Sequence, residues 1–289
     1  RFLFCINFLS QLNIIPIMTE ILKVENLTKK FKKKNLFSSN PEEVIAADSV
    51  NFSLERGEIL AIAGQSGSGK STIAKLILRS LQPDSGKIFY NQKEIKDNSN
   101  DLKKFRMKCQ MVYQDPYDSI NPRMTIQDIV NEPLEIHELG TKEERKKRVI
   151  ETLRMVKLEP AEEIARKYPH MLSGGQRQRV VIARAIVVQP EIIIADEPVS
   201  MLDVSIRAEI LELMKEIQSK NEISMIYITH DLATAKHFAD NIVILNSGKV
   251  MERGSIDKVL TNPADNYTKA LIAAISEPDP ENLYKMKEI

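Results

Sequence analysis

The chain has 289 residues, enough to bury a full core in one large domain or two modest ones. Its 41 Lys plus Arg are balanced by 40 Asp plus Glu, which argues against the broad basic field of a nucleic-acid binder. Two cysteines, Cys5 and Cys109, are too few and too far apart for a disulfide framework and fit a reducing compartment.

Residues 1–17 are apolar but carry Asn7, Ser10, Gln11 and Asn13, and they precede a clean start at Met18. They read as an extension outside the fold. From 18 to 101, apolar runs at Ile21–Val24, Val44–Ala47 and Val50–Leu54 alternate like an antiparallel β region. The lysines from Lys29 to Lys34, interrupted by Phe31, read as a solvated loop between strands. Glu58–Ala63 is a short apolar strand, followed by a glycine-rich turn and helical periodicity over Lys70–Leu81. A turn at Pro83–Gly86 leads into a strand at Gly86–Tyr90.

Residues 102–180 change character, with Glu, Lys, Arg and Leu in helical stretches such as Thr141–Val156 and Pro160–Tyr168. They are expected to form a helical insertion. From 181 to 260, strands at Glu191–Ala195, Ser224–Thr229 and Asn241–Asn246 alternate with helices at Ile206–Lys220 and Leu232–Phe238. That alternation predicts a mostly parallel α/β core. Residues 261–289 form a tail, with a helix at Asn266–Ile275 before the Pro-rich Glu277–Pro280. A membrane-spanning helix needs about 20 mainly apolar residues. The apolar stretch Val180–Ala195 is broken by Arg184, Gln189, Pro190 and Glu191, so no span is expected.

Gly64-Gln65-Ser66-Gly67-Ser68-Gly69-Lys70-Ser71, followed by Thr72, carries the chemistry of a phosphate loop. Small residues let backbone N–H groups converge on phosphates at a helix N-terminus. Lys70 would reach the β and γ phosphates, and the Ser71 hydroxyl could ligate Mg²⁺. Ile192–Glu197 is an apolar strand ending in two acids. Asp196 fits the Mg²⁺ shell and Glu197 could polarise the attacking water. Ser173-Gly174-Gly175-Gln176 opens a helix expected from Arg177 to Val188, a second anion-binding end in a chain with one phosphate loop. It makes sense if two copies of such a domain meet head to tail.

Leu172–Gln176, followed by Arg177-Gln178-Arg179, resembles the signature of the ABC ATPases. The resemblance implies a P-loop NTPase (RecA-like) core with an antiparallel β subdomain and a helical subdomain insertion. It implies roles for Gln114 (Mg²⁺ and attacking water), His230 (γ-phosphate contact) and Asp203, in the loop between paired subunits. Met201 departs from the usual Ala of that loop. Phe31 stands where the family stacks an aromatic on adenine.

Gln114–Thr125, Lys167–His170, Leu202–Ala208 and the tail segment from Asn262 to Leu271 resemble the ATPases of oligopeptide and dipeptide importers, in their second type. That implies ATP with Mg²⁺ as cofactors, and a second ATPase subunit in a hetero-pair, with a homodimer as the alternative. Two transmembrane permeases and, indirectly, an extracytoplasmic substrate-binding protein complete the expected partners, with no nucleic acid. The location implied is peripheral, on the cytoplasmic face of the cell membrane. Relatives that carry a C-terminal cysteine cluster differ from this chain, which has no cysteine after Cys109, so no iron–sulfur cluster is expected. Related cassettes that import oligosaccharide, nickel or glutathione stay open as alternatives, as does a soluble ABC ATPase outside transport.

Overall fold

The computed structural model describes residues 20–33, 42–117 and 119–276. The extension at 1–17, Cys5 and the Pro-rich Glu277–Pro280 lie outside the described residues. Two long strands, β1 (Glu20–Lys33) and β2 (Glu42–Glu55), pair antiparallel. The lysine run expected as a loop is therefore strand as far as Lys33, with Lys29 opposite Ala47 and Phe31 opposite Val44. The reason lies in the neighbours. Strand β4 (Ser85–Tyr90) reaches β1 only as far as Thr28, so beyond it the backbone is paired in a two-stranded ribbon, with Lys29 ion-paired to Asp84 at 2.8 Å and Lys30 and Lys32 exposed.

Strand β3 (Ile59–Ala63) enters the glycine loop and helix α1 (Lys70–Ile77) leaves it. The helix stops short of Leu81 because Arg79 takes a left-handed φ of 54° and the amides of Ser80 and Leu81 fold back on the Lys75 carbonyl. Next come β4 (Ser85–Tyr90), β5 (Lys93–Glu94), α2 (Ser99–Lys108) and β6 (Cys109–Val112). The helical region holds α3 (Ile126–Ile136), α4 (Lys142–Met155), α5 (Ala161–Ala165) and α6 (Gly174–Ile186). The chain then runs through β7 (Ile192–Asp196), α7 (Val204–Asn221), β8 (Ser224–Thr229), α8 (Leu232–Phe238) and β9 (Asn241–Asn246). It continues through β10 (Lys249–Ser255), α9 (Ile256–Thr261) and α10 (Asn266–Ser276).

The proposed insertion at 102–180 needs one correction. Residues Cys109–Val112 are strand β6, paired in parallel with β7 from Cys109 opposite Ile192 to Val112 opposite Ala195. They belong to the core sheet. Four residues between helices are too few to display a strand period, which is why the sequence hides them.

The strands form a four-stranded sheet, β2-β1-β4-β5, and a six-stranded sheet, β10-β9-β3-β8-β7-β6. Side chains alternate faces along a strand, and the larger sheet uses that to build two cores. Leu60, Ile62, Ile194, Ile226, Ile228 and Val243 face α1 and the smaller sheet. Ile59, Ala61, Ile193, Ala195, Met225 and Tyr227 face the helices from α3 onward, whereas Phe105 of α2 packs with the first group. Cover on both faces explains why the inner strands β3, β7, β8 and β9 carry unbroken apolar runs.

Candidate active site

Strand order decides which segments meet. Strands β3, β8, β7 and β6 are neighbours and run parallel, so their carboxyl ends share one edge. Ala63 is level with Thr229, and Asp196 with Ile228. The chain leaving these ends supplies the glycine loop, His230, Glu197 and Gln114, the crevice where open α/β sheets bind ligands.

The loop from Gly64 to Gly69 has little room for side chains. A Cβ on Gly64 would stand 2.1 Å from the Leu245 carbonyl oxygen, and one on Gly69 2.1 Å from that of Ala46. Gly69 also takes φ 105°, and as N-cap of α1 it offers no side-chain cap. The first amides of α1 are thus left for another acceptor. Lys70 is buried, and its Nζ donates to the carbonyls of Gly64 (2.7 Å) and Gln65 (2.8 Å). Burial lowers its pKa, while the Glu197 and Asp196 carboxylates push it back up.

Asp196 is buried under this loop, and its Oδ1 has no hydrogen-bond partner among the described residues. Burial raises its pKa, and a hydrogen bond with Ser71 and the Lys70 charge offset part of the rise. A buried carboxylate oxygen without a partner beside a hydroxyl is a donor set suited to a hard divalent cation. Glu197 follows with a left-handed φ of 45°, its amide donating to the Ile228 carbonyl at 2.9 Å. Its carboxylate takes a bond from Gln114 Nε2 at 3.2 Å and lies 3.0 Å from His230 Nδ1. The three residues expected to handle water and γ-phosphate therefore stand in one contact group.

A cleft of about 890 Å³ opens over them, of the size that holds a small ligand. Gly64, Gln65, Ser66, Gly67, Gly69, Lys70, Ser71, Thr72, Gln114, Glu197 and His230 line it. Ser68 does not: it is buried behind the loop, its amide bonded to the Gln65 carbonyl at 3.2 Å. Phe31 is not among the lining residues either, although Val44, its partner across the ribbon, is. The Phe31 ring is 41% exposed, with Lys29 Nζ 5.8 Å from its centroid. Val44, Ile45, Ala46, Leu271 and Ala274 complete the lining and carry no motif that would announce them.

Ser173–Gln176 lies elsewhere. Helix α6 begins at Gly174 rather than Arg177, because Ser173 caps it: Ser173 Oγ accepts from the Gln176 amide (3.3 Å) and Gln176 Oε1 from the Ser173 amide (3.0 Å). None of these four residues lines the cleft. Gly175 packs so closely on α7 that a Cβ would meet Ile206 Cγ2 at 2.8 Å. Asp203 caps α7 with its backbone alone and is exposed between Met201 (61% exposed) and Val204 (79% exposed). Arg207 holds that loop, donating from Nε to the Leu202 carbonyl (2.7 Å) and from Nη2 to that of Ser200 (3.2 Å). Arg177 Cζ stands 4.3 Å from the Tyr117 ring centroid, and Arg184 Nη1 donates to the Ser119 carbonyl at 2.9 Å. Two arginines of α6 thus grip the stretch just after Gln114. The sequence signal was an arginine-rich helix, but its targets were invisible.

The profile of the family described as "ABC transporter" matches residues 47–200. The chain belongs to that family. Its part in an ABC transporter is the ATP-binding subunit, an ATPase. It is 43% identical over 268 residues to the oligopeptide transport ATP-binding protein OppF of Bacillus subtilis (strain 168), spanning 91% of this chain and 85% of that one. It is 40% identical over 263 residues to the dipeptide transport ATP-binding protein DppF of Haemophilus influenzae, spanning 91% and 80%. Among solved structures, a dimeric ATP-binding cassette in a post-hydrolysis state with ADP and Pi matches the ABC subunit with a TM-score of 0.71. The two are 33% identical, over 82% of this chain and 99% of that one. Among the described residues, no helix of the ABC subunit is long and apolar enough to cross a membrane.

Proposed function

We propose that this ATPase powers the import of dipeptides or oligopeptides through separate membrane permeases, working at the cytoplasmic face of the cell membrane. The observation that carries the ATPase half is the shared carboxyl edge of β3, β8, β7 and β6, with Lys70, Ser71, Glu197, His230 and Gln114 lining one cleft and Asp196 buried beside Ser71. The peptide half rests on the similarity to peptide-transport ATP-binding proteins over nine-tenths of the chain. Lys70 receives the phosphate charge once its ammonium leaves the Gly64 and Gln65 carbonyls. Ser71, Asp196 and Gln114 hold Mg²⁺, which when bound neutralises charge on the phosphates. Glu197 draws the proton from the attacking water, with Gln114 and His230 holding its carboxylate in place.

The active unit is a pair of cassettes, because Ser173–Gln176 lies outside the chain's own cleft and needs a second one to serve. Exposed Met201 and Val204 beside Asp203 supply apolar surface for that contact. A second ATPase of related type is the expected partner, with two permeases docked on the segment after Gln114. The test is a reconstituted complex in vesicles, with ATP hydrolysis and uptake followed as peptides are offered. Peptide-dependent uptake that stops with Glu197→Gln supports the reading. Uptake driven by an oligosaccharide, glutathione or Ni²⁺ with no response to peptides overturns the substrate class.

A further inference from the structure

The nucleotide cleft has a wall that no phosphate-handling motif supplies. Helix α10 contributes Leu271 and Ala274 to its lining. With Tyr267 they are spaced i, i+4, i+7, which is one face of a helix. Tyr267 is more than nine-tenths buried, and its hydroxyl makes no well-formed hydrogen bond among the described residues. Burial raises the pKa of that hydroxyl, and the backbone amide of Gln65, in the phosphate loop, offsets part of the rise. The helix is firmly mounted for such a role. Glu252 of β10 accepts the amides of Ala264 (2.8 Å) and Asp265 (3.1 Å), and Asp265 in turn accepts those of Tyr267 (2.8 Å) and Thr268 (3.2 Å).

Core packing accounts for Leu271, which belongs to the main apolar cluster. It does not account for a buried phenol whose hydroxyl meets only the Gln65 amide, short of a full hydrogen bond, since an under-satisfied polar group costs free energy that Phe would avoid. We propose that α10 is part of the nucleotide site and that Tyr267 is a positioning residue, its hydroxyl engaging the loop backbone at Gln65 when phosphates draw the loop tight. This rests on reading the cleft as the ATP site.

Binding of Mg²⁺-ATP and Mg²⁺-ADP to the purified full chain, together with its thermal midpoint, tests the proposal. Tyr267→Phe keeps the ring, so the ligand-free midpoint should hold or rise while both nucleotides bind about three- to tenfold more weakly, the worth of one hydrogen bond. In the assembled complex the same variant should raise KM for ATP and leave kcat unchanged. Leu271→Glu puts a carboxylate at the cleft and should weaken ATP more than ADP, about tenfold or more for ATP. Ala273→Ser, on the exposed face of the same helix, should change neither. Should Leu271→Glu fail to fold, Ala274→Cys in a Cys5→Ser background replaces it. Cys109 is buried whereas Ala274 is half-buried at the cleft, so a thiol reagent reads position 274, and Mg²⁺-ATP should slow the labelling. Unchanged affinities with Tyr267→Phe, or Ala274→Cys labelled equally fast with ATP, overturn the proposal. Lys70→Ala separates the two readings. If it abolishes binding while the α10 variants do nothing, only the α10 role falls; if it too has no effect, the cleft is not the ATP site.

Discussion

Two helices in this chain open at glycine-rich N-termini, and the two are finished in opposite ways. Helix α1 has Gly69 as N-cap, no side-chain cap, and a buried cation and carboxylate beside it. Helix α6 has Ser173 as N-cap, a complete capping box with Gln176, and neither group nearby in the cleft lining. Both ends carry the positive pole of a helix. The first leaves its amides uncapped beside unfinished charges, which is the state of a site awaiting a ligand. The second has its Ser173 and Gln176 amides paired within its own chain, so it can fold before any nucleotide arrives and present its remaining Gly174 and Gly175 amides to a partner's phosphates as a rigid surface.

Breaking the phosphate end at its chemistry should have the largest effect. Glu197→Gln keeps the size of the side chain and its contacts with Gln114 and His230, but removes the proton acceptor. ATP turnover by the assembled complex should fall about 10²–10⁴-fold, with ATP binding retained. Near wild-type turnover would remove Glu197 from the base role. Lys70→Ala comes next. Loss of charge-assisted contacts worth about 1.5–3 kcal/mol should weaken ATP binding about 10- to 100-fold in a titration.

At the signature end, Gly175→Val tests whether the second terminus is a rigid platform. Its Cβ would have to displace Ile206 Cγ2 from 2.8 Å, and overpacking of this kind costs about 1–3 kcal/mol. The isolated chain should bind ATP as before, because Gly175 is remote from the cleft lining, while turnover in the assembled pair drops. Equal loss of ATP binding by the isolated chain would mean that the two ends are not independent within one subunit.

Much of this contrast was legible from local signals. Apolar strands before Gly64, Glu197 and His230 and the glycine spacing placed three of the four carboxyl-edge segments, and Ser173–Gln176 read as a second anion-binding helix end, although its capping box starts the helix at Gly174 and not at the expected Arg177. What escaped depended on distant partners. Strand β6 is recognisable only beside β7, and the lysine-rich half of β1 only beside β2. Strand β10 is a polar edge strand, paired on β9 alone, and gives little alternation to read. The left-handed turn at Glu197 and the approach of Tyr267 to Gln65, about two hundred residues away in sequence, follow from tertiary packing that no window of residues contains.

The smallest effect is the most specific to the unfinished end. Asp196 has its charge buried, with Oδ1 unpaired, and burial raises its pKa above the usual carboxylate value. In the ligand-free chain that ionised carboxylate is a cost, so Asp196→Asn should raise the thermal midpoint near neutral pH, by about 1 kcal/mol of stability. Mg²⁺-dependent ATP binding should fall in the same variant. The sign with pH follows from the raised value. A carboxyl whose folded pKa lies above its unfolded one contributes stability fully below the unfolded pKa and loses it as pH rises through the folded pKa. Wild type should therefore gain on the variant as pH falls through that window, and the difference in midpoint should shrink. Melting both proteins without nucleotide, at neutral pH and again in the carboxylate range, measures this directly. A variant that melts at or below wild type near neutral pH would mean the buried charge is already compensated in the empty chain. The phosphate end would then be as finished as the signature end, and the contrast between them would fail.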